Sequence, residues 1–293
     1  MKQKPENPQW LRIKLTTNEN FIAIKNTLKQ HNLHTVCESA HCPNISECWN
    51  TGTATFMLMG DTCTRACKFC AVKTGNPMKK LDIDEPKKLA FALGEIGLFD
   101  YVVLTSVNRD DLEDGGASHF AECIKGIKKY YPEIIIEVLI PDFNGDTTAL
   151  RKIVDAKPEV VAHNIETVER LQKMARDPRA SYNQSLKVLE NVKKMNSGIY
   201  TKSSVMLGLG EKDEEVIKAM KDLRAINVDI LTIGQYLRPT DWHIPITEFV
   251  EHQKFEYFKQ KAVELGFLFC ASGPLVRSSY KAGELFMRNI IKI

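Results

Sequence analysis

The chain has 293 residues, 43% of them hydrophobic and 26% charged, with a formal net charge of +3. That composition supports a core of good size and excludes a disordered chain, and so small a charge does not point to nucleic acid. The length suits one large α/β domain or two small ones. Lysine pairs such as Lys79-Lys80 and Lys193-Lys194 are scattered and read as solvated faces. No apolar run follows the charged start, and no stretch approaches the roughly 20 apolar residues of a membrane helix. The expectation is a soluble cytoplasmic protein with neither nucleic acid nor a membrane as partner.

In chain order, a helix is predicted near residues 20–31. Residues 37–50 show no sustained hydrophobic period, and a metal centre would order them. From residue 55 onward, short β-branched runs alternate with helical stretches. Strands are predicted over 55–59, 101–105, 134–140, 160–164, 200–207 and 230–235. Helices are predicted over 87–98, 119–130, 147–156, 168–174, 181–195 and 213–226. A last helix, 251–265, precedes a strand-like run at 267–270. Repeated βα units predict an α/β fold with a parallel sheet, and six of them predict a partial (β/α)6 barrel of TIM-like kind. The predicted organisation is an N-terminal extension over 1–52, the barrel over 53–240 and a C-terminal extension over 241–293. In such a barrel the site lies at the C-terminal ends of the strands.

Six of the eight cysteines lie between positions 37 and 70. In a reducing compartment so tight a group reads as metal binding or redox chemistry. Cys63, Cys67 and Cys70 follow the first predicted strand with spacings of three and two residues. Three local thiolates suit a [4Fe–4S] cluster with one iron left open. The alternative is zinc, whose structural sites take four ligands. Upstream, Cys37, Cys42 and Cys48 are separated by four and five residues and also lack a fourth thiol. Here the alternative is a zinc site completed by His41 or His34. Cys123 and Cys270 read as small buried hydrophobes.

The Cys-x3-Cys-x2-Cys run, with Phe69 before its last cysteine, resembles the radical S-adenosylmethionine (SAM) superfamily. The upstream trio resembles the lipoyl synthase family in particular. The words His34-Thr35-Val36-Cys37-Glu38, Cys42-Pro43-Asn44 and Glu47-Cys48-Trp49 carry that likeness, and so does Arg277-Ser278-Ser279-Tyr280. It runs from about Trp10 to Tyr280. The resemblance implies a partial barrel of radical SAM type whose extensions carry an auxiliary cluster. It implies two [4Fe–4S] clusters: one on Cys63, Cys67 and Cys70, open to SAM, and one on Cys37, Cys42, Cys48 and Ser278, consumed as a sulfur source. The local alternative for Ser278 is a helix N-cap before residues 281–286.

For the SAM pocket, the strand ends offer Ser106 and Asn108 after the second strand and Asn164 after the fourth. Glu137, acidic in an otherwise apolar strand, suits ribose hydroxyls. Arg176 suits the SAM carboxylate. Gly208 and Gly210 would permit close approach of the adenine. The implied reaction inserts two sulfurs into an octanoyl chain on a lysine of a lipoyl carrier domain. The implied carriers are the E2 subunits of 2-oxoacid dehydrogenases and the glycine cleavage H protein. Reduced flavodoxin or ferredoxin would supply electrons. Competing readings are another sulfur-inserting radical SAM enzyme and a non-catalytic iron–sulfur electron carrier.

Overall fold

In this computed structural model the described residues are Pro8, Trp10 and 16–279. The N-terminal part comprises α1 (Glu19–His31), the short strand β1 (His34–Thr35) and two short helices, α2 (Val36–Ser39) and α3 (Ile45–Asn50). The sequence reading left 37–50 irregular. The helices there are too short to show a period, and α2 is set by a cap: the Thr35 hydroxyl oxygen accepts the Glu38 N–H at 3.3 Å. Buried Ile24 and Leu28 turn α1 inward, where the Phe21 ring meets the fully buried Trp49 of α3 at 4.9 Å between centroids.

Next come β2 (Thr55–Leu58) and a two-stranded ribbon of β3 (Thr62–Cys63) and β4 (Lys73–Thr74). Helices and strands then alternate as α4 (Glu85–Ile96), β5 (Tyr101–Ser106), α5 (Ala117–Tyr130), β6 (Ile135–Leu139), α6 (Thr147–Asp155) and β7 (Val160–Ala162). They continue as α7 (Gln172–Ala175), α8 (Tyr182–Met195), β8 (Tyr200–Leu207), α9 (Asp213–Ala225), β9 (Ile230–Gln235), α10 (His252–Glu264) and β10 (Phe269–Gly273). One sheet takes the order β1-β2-β5-β6-β7-β8-β9-β10. Only the β1–β2 pairing is antiparallel. The six predicted strands are β2 and β5 to β9. The sheet then continues into β10, parallel to β9 with Phe269 opposite Ile230.

The strands form here because their runs are buried throughout, as in β7 and β9, which suits a parallel sheet covered by helices. Some helix starts are marked by side-chain caps. The Asp146 carboxylate accepts the Thr148 N–H at 2.7 Å before α6, and the Ser181 hydroxyl oxygen accepts the Gln184 N–H at 3.2 Å before α8. Each such cap contributes about 1 kcal/mol. The sheet curls, because residues of β2, β5, β6, β8 and β9 line one cavity. Toward the opposite strand ends, Tyr101, Val103, Ile135, Val160 and Ile230 form a separate apolar layer. None of the described helices is long and apolar enough to cross a membrane.

Candidate active site

Cys63 ends β3 and the loop from there to β4 carries Cys67 and Cys70; its two ends are tied by ribbon pairing and by the Gly75 N–H to the Cys63 carbonyl at 2.9 Å. Arg65, inside the cysteine run and only 4% exposed, fixes the loop. Its guanidinium donates to Asp142 at 2.8 Å and to Asp110 at 2.8 and 3.0 Å. The Asp177 carboxylate accepts the Ala66 N–H at 2.9 Å. Backbone N–H groups aim at the sulfurs: Arg65 and Asn108 at Cys63 (3.4 and 3.3 Å) and Asp177 at Cys67 (3.3 Å). Donors of this kind stabilise iron–sulfur ligands.

The upstream trio meets the C-terminal segment. The Asn44 side-chain amide donates to the Leu275 carbonyl at 2.7 Å, and the Arg277 charge reaches Cys42. Burial pushes the thiols up, Cys37 and Cys67 each to about 11 and Cys70 to about 12. Burial also raises Cys42. They are protonated at neutral pH until a metal supplies positive charge.

A single cavity of about 520 Å³ is lined by all six of these cysteines and by Ser278 and Ser279. Phe69, Ser106, Asn108, Asn164 and Arg176 line it too. Ser106 Oγ, Asn164 Oδ1 and Arg277 Nη2 are buried without a hydrogen-bond partner among the described residues, so polar groups await a ligand. Arg176 is pre-set: its Nη1 donates to the Ser185 hydroxyl at 2.7 Å and to Gln172 Oε1 at 3.2 Å. Glu166 also lines the cavity, in the left-handed backbone region (φ 66°), and burial raises its carboxyl against the pull of Arg176.

Two expectations need correction. Glu137 does not line the cavity. Both of its oxygens accept from Lys202 Nζ at 2.8 Å, and the Tyr101 hydroxyl donates to it as well. Leu139, two residues on, does line the cavity, so Glu137 lies one layer lower, ~6.6 Å along the strand. Gly208 is approached by the chain itself, since an added Cβ would come 2.2 Å from Gln235 Nε2 and 2.6 Å from the Glu248 carbonyl. Tyr280 and the helix that Ser278 was to cap lie outside the described residues.

The donor set also bears on the metal. Among the described residues, the set of three His, Cys, Asp or Glu ligand atoms within 4.8 Å of one another is Glu85, His119 and Cys123. Neither cavity trio closes that far. Thiolates around one tetrahedral zinc would sit roughly 3.8 Å apart. Trios wider than that do not close on a single zinc as they stand. Sequence reasoning assigned no role to Arg65, Asp177, Glu166 or Arg277. Glu166 lies beyond the end of β7, in an isolated bridge with Val205.

Comparison with known proteins gives a family. Residues 57–223 match the radical SAM superfamily, and residues 1–42 match the N-terminal domain of lipoyl synthase of that family. A protein named lipoyl synthase from Halobacterium salinarum is 56% identical over 97% of this chain and 92% of its own length. An apicoplast lipoyl synthase of Plasmodium vivax is 54% identical over 99% of this chain, which spans 66% of that protein. The crystal structure of methylornithine synthase shares the fold at a TM-score of 0.55 and 15% identity, covering 92% of this chain and 85% of that one.

Proposed function

The chain belongs to the lipoyl synthase family of the radical SAM superfamily, and from that premise we propose that its cavity inserts two sulfur atoms into an octanoyl chain held on a lipoyl carrier domain. It is a sulfurtransferase. One observation supports this most: two cysteine trios, Ser278 and unpartnered buried polar atoms line the same space.

When bound, a cluster on Cys63, Cys67 and Cys70 supplies the electron that cleaves SAM to a 5′-deoxyadenosyl radical, and a cluster on Cys37, Cys42, Cys48 and Ser278 supplies sulfur. The chain's own groups do the rest. Arg176, held by Ser185 and Gln172, offers a guanidinium to the SAM carboxylate. Ser106, Asn108 and Asn164 offer polar atoms to the rest of SAM, and Phe69 walls the pocket. Apolar walls from Val36, Met57, Leu139 and Met206 take the octanoyl chain and exclude water. Ser278, on the cavity wall, would offer a hard oxygen to a soft iron–sulfur centre, a weaker match than the thiolates beside it.

The carriers in this proposal are E2 subunits and the glycine cleavage H protein, and the electron donor is a reduced flavodoxin or ferredoxin. So many closely spaced thiols require a reducing compartment, the cytoplasm in the simplest case. Anaerobic incubation with SAM, reductant and an octanoyl-lysyl peptide tests the reading by mass spectrometry. The expected product gains two sulfurs and, once oxidised, loses two hydrogens. Cys37→Ala is expected to abolish that product while reductive SAM cleavage persists. Clusters that neither cleave SAM nor yield sulfur product would indicate an electron carrier instead.

A further inference from the structure

The loop with Cys63, Cys67 and Cys70 leaves β2 through Met59, whose backbone is left-handed (φ 67°). A residue with a side chain holds that conformation only where its surroundings impose it. Four contacts converge here. The Met59 N–H donates to both Glu85 oxygens, at 2.9 and 3.2 Å, from the first residue of α4. Its carbonyl accepts from Arg109 Nη1 at 3.4 Å. An added Cβ on Gly116 would come 2.2 Å from the Met59 sulfur, so the side chain fills room that only glycine leaves. His119, in the first turn of α5, brings Nε2 to 2.6 Å from Glu85 Oε2. Glu85, Arg109 and His119 are all buried.

Cys123, one turn beyond His119, completes the close group of three ligand atoms described above. Both Glu85 oxygens are already engaged, and His119 Nε2 is bonded to one of them. The group therefore reads as a hydrogen-bonded clamp rather than an ion site.

We propose that the Glu85–His119 pair is a positioning clamp that holds Met59 in its left-handed turn and so sets where the cysteine loop enters the cavity. The clamp is read from backbone geometry. It rests on the function above only for what the loop binds.

The test uses the anaerobically reconstituted full-length chain as Glu85→Gln, Met59→Gly and both together. The readouts are hydrogen exchange over residues 59–67, the EPR spectrum of the reduced protein with SAM, and 5′-deoxyadenosine released per sulfur inserted. In Glu85→Gln, exchange is expected to rise at least tenfold, the EPR signal to broaden, and wasted SAM cleavage to rise severalfold. Glycine adopts positive φ freely, so Met59→Gly removes the need for the clamp. The double variant is expected to return all three readouts most of the way to wild type, a rescue that general destabilisation would not show. Wild-type exchange in Glu85→Gln, or no rescue by glycine, overturns the proposal. One zinc per chain that Cys123→Ser removes also overturns it, because an ion would then hold Glu85. A wild-type chain that never cleaves SAM defeats the proposed function and leaves the exchange result standing.

Discussion

His163 illustrates what a single residue contributes beneath the cavity. It is 4% exposed, with Nδ1 2.9 Å from the Ile140 carbonyl and Nε2 2.9 Å from the Ser185 hydroxyl, the same hydroxyl that orients Arg176. Burial first, and then the Arg176 charge, hold its pKa down at about 4. The unfolded chain takes up that proton near 6.5, so between the two values the unfolded state binds more protons. Stability from this group is complete above about 6.5 and is lost as pH falls toward 4, for a total of about 3 kcal/mol. His163→Gln is expected to flatten that part of the stability curve, measured by urea unfolding at several pH values. An unchanged slope would refute the assignment. At this scale the cysteines were legible, because ligand spacing along the chain is itself the signal. His163 was not, because its role depends on how a strand end turns into the cavity.

At the scale of elements, the segment after β10 decides whether Ser278 reaches the upstream trio. It lies against the end of β9, where an added Cβ on Gly234 would come 2.1 Å from the Val276 carbonyl. Arg277 Nη1 donates to the Val276 carbonyl at 2.7 Å and the Pro274 carbonyl at 3.3 Å, and it reaches the Gln235 carbonyl at 3.4 Å. Gly234→Ala is expected to push this segment off the strand. If the chain holds the two clusters proposed above, iron content would then fall from about eight toward about four per chain, the content of one four-iron cluster. Sulfur product would fall at least tenfold while SAM cleavage continued. Full iron and full product in this variant would show that the segment tolerates displacement. The sequence showed a strand-like run at 267–270, but its partner was not legible: pairing with β9 is a contact through space that no local pattern records. The turns α2 and α3 were missed for a related reason. The Thr35 cap orders α2, and packing of Trp49 on Phe21 orders α3, so neither depends on periodicity.

Over the whole molecule the curled sheet separates two layers, with chemistry at the C-terminal strand ends and stability at the other, as in parallel barrels generally. The βα alternation made this division legible in advance, but strand alternation reports the face of a residue and not its depth, so Glu137 was assigned to the wrong layer. Its pairing with Lys202, each side chain 2% exposed, lies beside the apolar layer of Tyr101, Ile135 and Val160. A buried ion pair contributes little net stability, because desolvation offsets its attraction, but removing one partner strands the other charge. Lys202→Met is therefore expected to destabilise the chain by about 3–5 kcal/mol. Adding Glu137→Leu is expected to recover most of that loss, since a well-packed apolar pair of similar volume is close to neutral. Denaturant midpoints of the single and double variants would measure both steps. The double variant, once folded, is expected to keep the wild-type KM for SAM, because neither side chain lines the cavity. A tenfold rise in that KM with stability unchanged would return Glu137 to the ribose and undo the separation of layers.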